Sequence, residues 1–260
     1  KANEIINAGR IGKVTWAQAS YNRNPKSDGA FGSLGRIQED AGPHVTGEGY
    51  VDWDMWLGHK FGLAPRIPWN PEHFFKFRRY WAYNGGVATD LIYHRLAPLL
   101  IAIAGPDGAY HKRVTANGGL FINKDGRDVP DVFMMSVEYP GEYTIFLESV
   151  LTNQTQIATR IYGQYATMDF DGSPRMTGND DFTQEFRDRN NGYNEVSIHV
   201  QNGRDLEGNF IDAIREGARL HCNVDLGCTT MVAIKMAVES YRQNKSFIWD
   251  AENEKMVPGA

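Results

Sequence analysis

Cysteine is almost missing from this chain. Its 260 residues include two, Cys222 and Cys228, too few for a disulfide framework and without the partners of a zinc site. Both are expected as buried free thiols. Long apolar runs are missing too. The longest, Leu96 to Ala104, is interrupted by Pro98 and falls well short of the roughly 20 residues a membrane-spanning helix needs. There is no block of basic residues, and the net charge is −5 with a pI near 5.8. That balance argues against a nucleic-acid partner. The first ten residues lack the apolar stretch of a signal peptide and read as the last turns of a helix, stopped at Ala8-Gly9. A cytoplasmic location is the default expectation. No internal repeat, Walker loop, His-Glu-x-x-His or strand-linked Gly-x-Gly-x-x-Gly occurs. If a dinucleotide is used, its binding fold is expected outside this chain.

What is present suits a globular protein with a sizeable core: 42% of residues are hydrophobic and 12% aromatic. Val14 to Asn22 alternates like a strand. Residues 23–50 read as a long loop, Val51 to Gly58 as a short helix, and Pro71 to Trp81 as an aromatic, basic segment. From Asp107 onward, strands are expected at Tyr110–Leu120, Val132–Tyr139, Tyr143–Thr152 and Gln156–Phe170, with Pro140-Gly141 turning a hairpin. Residues 171–203 read as irregular. Helices are expected at Asp205–Leu220 and Leu226–Asn244, and a final strand at Ser246–Asp250. Grouped strands followed by helices give an α+β domain, an open and mostly antiparallel sheet with helices on one face.

The stretch Tyr80–Pro98 is the most informative. It turns on Gly85-Gly86 and continues as a helix in which Asp90 and His94 are four residues apart, so both leave the same face. A carboxylate beside an imidazole fixes the ring's tautomer and raises its basicity. A polar pair on a solvated helix surface has the same spacing. The glycines would allow a tight entry that leaves first-turn N–H groups for a ligand. Histidines 44, 59, 73, 111, 199 and 221 are scattered without ligand spacing, so no metal site is expected.

Taken in order, Ile11-Gly12-Lys13-Val14, Asp52-Trp53-Asp54-Met55-Trp56-Leu57-Gly58, Phe77-Arg78-Arg79-Tyr80-Trp81, Gly85-Gly86-Val87-Ala88-Thr89-Asp90 with His94, Asn209 to Gly217 and Ala237 to Arg242 resemble the Gfo/Idh/MocA family. The resemblance covers nearly the whole chain, against the C-terminal half of family members only. It implies a single C-terminal domain over residues 1–260, for substrate binding and oligomerisation, whose NAD(P)-binding Rossmann half is not in this chain. It further implies hydride transfer between a sugar or cyclitol hydroxyl carbon and NAD or NADP, with His94 as general acid/base and Asp90 orienting it or touching the sugar. The chain alone is expected to be inactive and to hold no cofactor.

Tyr21, Asn22, Arg78, Trp81 and Tyr83 are candidate substrate contacts, against loop anchoring, ion pairing with Asp52 and Asp54, and core packing as the plainer readings. Gly85 and Gly86 are weak candidates for cofactor contact. Two further functions are open: a glycoside-cleaving enzyme that retains its NAD, and a non-catalytic binding or assembly domain. Since Val132–Tyr139 has apolar residues on both alternating sets, a homo-oligomer through the second sheet face is expected.

Overall fold

Alternation of buried and half-buried side chains organises the centre of the molecule. The computed structural model describes residues 1–24, 36–199 and 203–259. In its strand Val132–Tyr139, Phe133, Met135, Val137 and Tyr139 are buried, while Val132, Met134, Ser136 and Glu138 are half-buried on the opposite face.

The first half of the chain forms α1 (Ala2–Asn7), β1 (Val14–Ser20), α2 (Trp53–Leu57), α3 (Pro71–Phe75), α4 (Val87–Leu91) and α5 (Tyr93–Ile103). Then come β2 (Arg113–Gly119), β3 (Val132–Tyr139), β4 (Tyr143–Val150), β5 (Arg160–Gly163), β6 (Ala166–Asp169) and β7 (Arg175–Gly178). The remainder is α6 (Thr183–Arg189), β8 (Glu195–Ser197), α7 (Leu206–Glu216), α8 (Val224–Gln243), β9 (Phe247–Asp250) and β10 (Lys255–Pro258).

These strands form one sheet of ten in the order β10-β9-β2-β3-β4-β1-β5-β6-β7-β8. Every neighbouring pair is antiparallel except β1 and β4. The expected α+β class therefore holds, but a simple sequential meander does not. The first strand inserts between β4 and β5, a long-range pairing that local patterning cannot announce. The β3–β4 hairpin closes at Pro140-Gly141, with the Glu142 N–H donating to the Tyr139 carbonyl at 3.1 Å.

The helices cover the Phe133 face. Leu96, Leu99, Leu100 and Ile103 of α5 pack there with Leu226, Ala233, Ile234, Ala237 and Val238 of α8. Each buried leucine or isoleucine contributes about 2 kcal/mol. The helix α7 takes no comparable part. Its Leu206, Phe210 and Ile214 are exposed, and its buried residue is Asn209. That amide donates to the Arg219 carbonyl at 3.0 Å and accepts from the His221 N–H at 2.8 Å. Polar bonds thus fasten α7 through one residue and turn its apolar stripe outward.

Four local expectations are corrected. Gln156–Phe170 is two strands, β5 and β6, because the chain reverses at Gln164 and Tyr165, whose N–H groups return to Lys13 and Ile11. Residues 171–199 are not irregular: they hold β7, α6 and β8. A tenth strand, β10, follows the one expected at the C-terminus. Cys222 and Cys228 are exposed, Cys222 in the turn before α8 and Cys228 off that helix's buried stripe. Within the 23–50 segment, 25–35 lie outside the described residues. No helix among the described residues is long and apolar enough to cross a membrane.

Candidate functional site

Helices α4 and α5 are nearly continuous, since Ile92 between them keeps right-handed helical angles (φ −65°, ψ −29°). Asp90 and His94 therefore project one turn apart. The entry is tight. Gly86 has φ 62° and ψ −143°, a conformation side chains resist, and a Cβ on it would lie 2.9 Å from Val129. A Cβ on Gly85 would meet Thr89 at 2.5 Å, and the Gly85 N–H already donates to Thr89 Oγ1 at 2.9 Å. Close packing against Thr89 and Val129 accounts for a glycine at both positions.

The Asp90 carboxylate accepts from Arg78 Nε at 2.7 Å. No hydrogen bond joins it to His94. The Arg78 guanidinium lies 4.4 Å above the Phe77 ring. Arg79 pairs with Glu72 at 3.0 Å and Asp125 at 3.2 Å. Neither arginine meets Asp52, which caps α2, or Asp54, which faces His59 and Arg66.

His94 is exposed, with Tyr21 edge-on at 5.9 Å. Tyr21 follows the last residue of β1 and is flanked by two guanidinium groups, Arg23 at 4.9 Å and Arg95 at 5.1 Å. Arg23 also donates to the Tyr21 hydroxyl at 2.9 Å. Beside them is a cavity of about 160 Å³ lined by His94, Arg95, Pro98, Thr159 and Phe170, among others. Pro98 has no N–H, so the His94 carbonyl lacks its i+4 helical partner. Tyr93, one residue before His94, turns away to bond Cys222 Sγ at 3.1 Å, and burial pushes its phenol up to about 12.

Asn22 is buried and structural in its contacts. Its amide donates to Glu148 at 2.8 Å and to the Thr155 carbonyl at 2.7 Å, and accepts from the Val150 N–H at 3.1 Å. Trp81 lies 6.1 Å from Tyr241 and 5.2 Å from Arg242, in a cleft of about 560 Å³ that Asn117 and Asp128 also line. The Tyr83 hydroxyl meets His73 Nδ1 at 2.9 Å. Its ring is 4.9 Å from Trp56, in a third cavity, of about 490 Å³, with Phe77 and Leu63. Burial raises the Tyr83 phenol and lowers the His73 imidazole.

The expected residues thus form two contacting pairs, His94 with Tyr21 and Asp90 with Arg78, while Trp81 and Tyr83 line other cavities. Sequence reasoning missed Arg95, Pro98, Thr159 and Phe170. Arg95 had a signal in its position next to His94. Thr159 and Phe170 had none, because the β5–β6 hairpin brings them there, the Phe170 N–H donating to the Thr159 carbonyl at 3.0 Å. Among the described residues no group of three or more His, Cys, Asp and Glu side chains could hold a metal ion.

No family model and no curated protein sequence matches this chain. Solved structures do. An aldose-aldose oxidoreductase from Caulobacter crescentus, complexed with glycerol, is 12% identical with a TM-score of 0.59, over 95% of this chain and 59% of that one. An NAD-binding protein from Listeria innocua is 13% identical with a TM-score of 0.57, over 95% and 62%. Here we meet the fold of the Gfo/Idh/MocA C-terminal domain. A levoglucosan dehydrogenase in complex with NADH and levoglucosan shares this Gfo/Idh/MocA fold at 14% identity and a TM-score of 0.57, over 94% and 61%. The chain spans less than two thirds of each of these structures.

Proposed function

We propose that this chain is the substrate-handling domain of an NAD(P)-dependent oxidoreductase acting on a sugar or cyclitol hydroxyl, partnered by a Rossmann half outside it. The observation that carries the reading is the exposed His94 imidazole beside a cavity at the end of β1, on a fold shared with NAD-binding oxidoreductases. Oxidising an alcohol requires an acceptor for the hydroxyl proton, and imidazole suits that role near neutral pH. A bound nicotinamide would supply the hydride acceptor. The diphosphate belongs to the Rossmann half in this reading, and this chain contributes the proton transfer and the sugar contacts. Tyr21 borders the substrate and Asn22 holds Tyr21 in place. The Asp90 carboxylate engages Arg78 and makes no hydrogen bond to His94.

The test is NAD(P) reduction by the intact protein with a panel of sugars and cyclitols. Replacing His94 with Asn should lower kcat roughly 10²- to 10⁴-fold and leave the melting temperature unchanged, because the side chain is exposed. A fully active variant refutes the assignment. A second reading on the same fold is redox-neutral cleavage of a glycoside with NAD retained. Turnover without added NAD separates the two.

We also assign self-association to the open sheet face. Trp16, 40% exposed, stacks on Tyr162 at 3.9 Å. Half-buried Phe146 and Met134 share that face with the Arg113–Glu138 and Arg160–Asp169 ion pairs. A mixed apolar and charged surface of this kind suits an isologous dimer.

A further inference from the structure

We propose that Arg95 is the recognition point for a carboxylate on the substrate, so that the compound handled at His94 is an acidic sugar, not a neutral one. The inference rests on reading His94 as the acid/base. Arg95 is half-buried, and its Nε is buried without a hydrogen-bond partner. It makes no ion pair with any described residue. Other enclosed arginines behave differently. Arg78 holds Asp90 at 2.7 Å, Arg79 holds Asp125 at 3.2 Å, and Arg127 holds Asp125 at 2.6 Å. A desolvated guanidinium N–H left unsatisfied carries a penalty that a ligand oxygen would remove.

The surroundings choose the kind of oxygen. Arg95 and Arg23 both lie against the Tyr21 ring, with His94 on its edge. Glu148, the acidic group tied into this strand end, bonds Asn22 at 2.8 Å and forms no ion pair with Arg95. The planar guanidinium fork of Arg95 matches a carboxylate. Arg95 and His94 line the same cavity, of about 160 Å³. That is below the range of roughly 300–1,000 Å³ typical of drug-sized ligand pockets. A volume of that size suits a small planar acid group.

The experiment is ligand binding to the 260-residue chain by saturation-transfer NMR and calorimetry. D-glucuronate and D-galacturonate are set against D-glucose and D-galactose, with AMP as a separate arm. Uronates should bind roughly tenfold or more tighter than the neutral sugars. R95Q should abolish that preference, and R95K, which keeps the charge without the fork, should keep part of it. Melting curves establish that each variant folds, and R95K carries the comparison where R95Q does not. Equal binding of acidic and neutral sugars, or an undiminished preference in R95Q, overturns the inference and leaves the sugar reading standing. Arg95-dependent binding of AMP in place of the uronates assigns the guanidinium to a nucleotide phosphate and also overturns it. If no sugar of either kind binds, the reading of the site falls with it.

Discussion

His111 makes the stability of this fold sensitive to mild acid. The side chain is 2% exposed, its Nε2 is 2.9 Å from Met236 Sδ, and its Nδ1 has no partner. Burial lowers its pKa from 6.5 to about 4. The folded state therefore holds the ring neutral, whereas the unfolded chain protonates near 6.5. Full stability is present above 6.5 and is lost as pH falls towards 4. For one group with those two values, the loss between pH 7.5 and 4.5 is about 2.5 kcal/mol. In a domain of this size that lowers the melting temperature by roughly 5 °C. The buried carboxylates Asp131 and Asp169, and the ion-paired Asp125, titrate below this window, since all three are lowered from 3.8. His73 is also lowered by burial and acts in the same direction. The assay is calorimetry at both pH values on the wild type and H111Q, whose side chain cannot titrate. H111Q should be less sensitive to the pH change by about the amount calculated. An unchanged pH dependence in a folded H111Q would refute the reasoning.

The loop between β2 and β3 depends on Asp131, which is fully buried and accepts from the N–H groups of Phe121, Ile122 and Asn123 at 2.9, 2.9 and 2.7 Å. Burial by itself would raise its carboxyl, but those N–H groups together with Arg127 hold it below the usual range. Asp131→Ala should destabilise the fold by about 2–4 kcal/mol, measured by urea unfolding. Calorimetric titration of the chain with NAD or NADP should give no micromolar binding; such a signal would place the cofactor here after all. Sedimentation at micromolar concentration should give a dimer mass that falls on Trp16→Glu, and a monomer in the wild type would remove the open-face contact.

Much of this fold is legible locally. Alternation in Val132–Tyr139, the hairpin at Pro140-Gly141 and the long periodic helix near the C-terminus all report burial that neighbouring residues create. What stays hidden depends on distant pairing. Nothing in Val14–Ser20 announces that its neighbours are β4 and β5. The strands β7 and β8 have four and three residues, too few for a period to show. Helix α7 shows the opposite failure: its spacing is amphipathic, yet Asn209 is the buried side. At the site, the spacing of Asp90 and His94 correctly puts both on one helical path. It says nothing of Arg78, twelve residues earlier, which takes the Asp90 carboxylate.

That substitution changes what each residue can do. An imidazole held by a carboxylate has its tautomer fixed by that bond, whereas His94 has Tyr21 on its edge and no hydrogen bond to Asp90. Orientation must then come from the platform under it. Asn22 supplies that platform: its side chain ties the end of β1 to Glu148, Val150 and Thr155, and the Tyr21 N–H is itself bonded to the Glu148 carbonyl at 3.0 Å. Tyr21 is thereby fixed between a rigid strand end and the first turn of α5, with Arg23 and Arg95 on its ring. The surroundings of His94 are thus set through β1 and its neighbours in the sheet. Asn22 constrains Tyr21, and through it the setting of His94, where Asp90 is bonded to Arg78 instead.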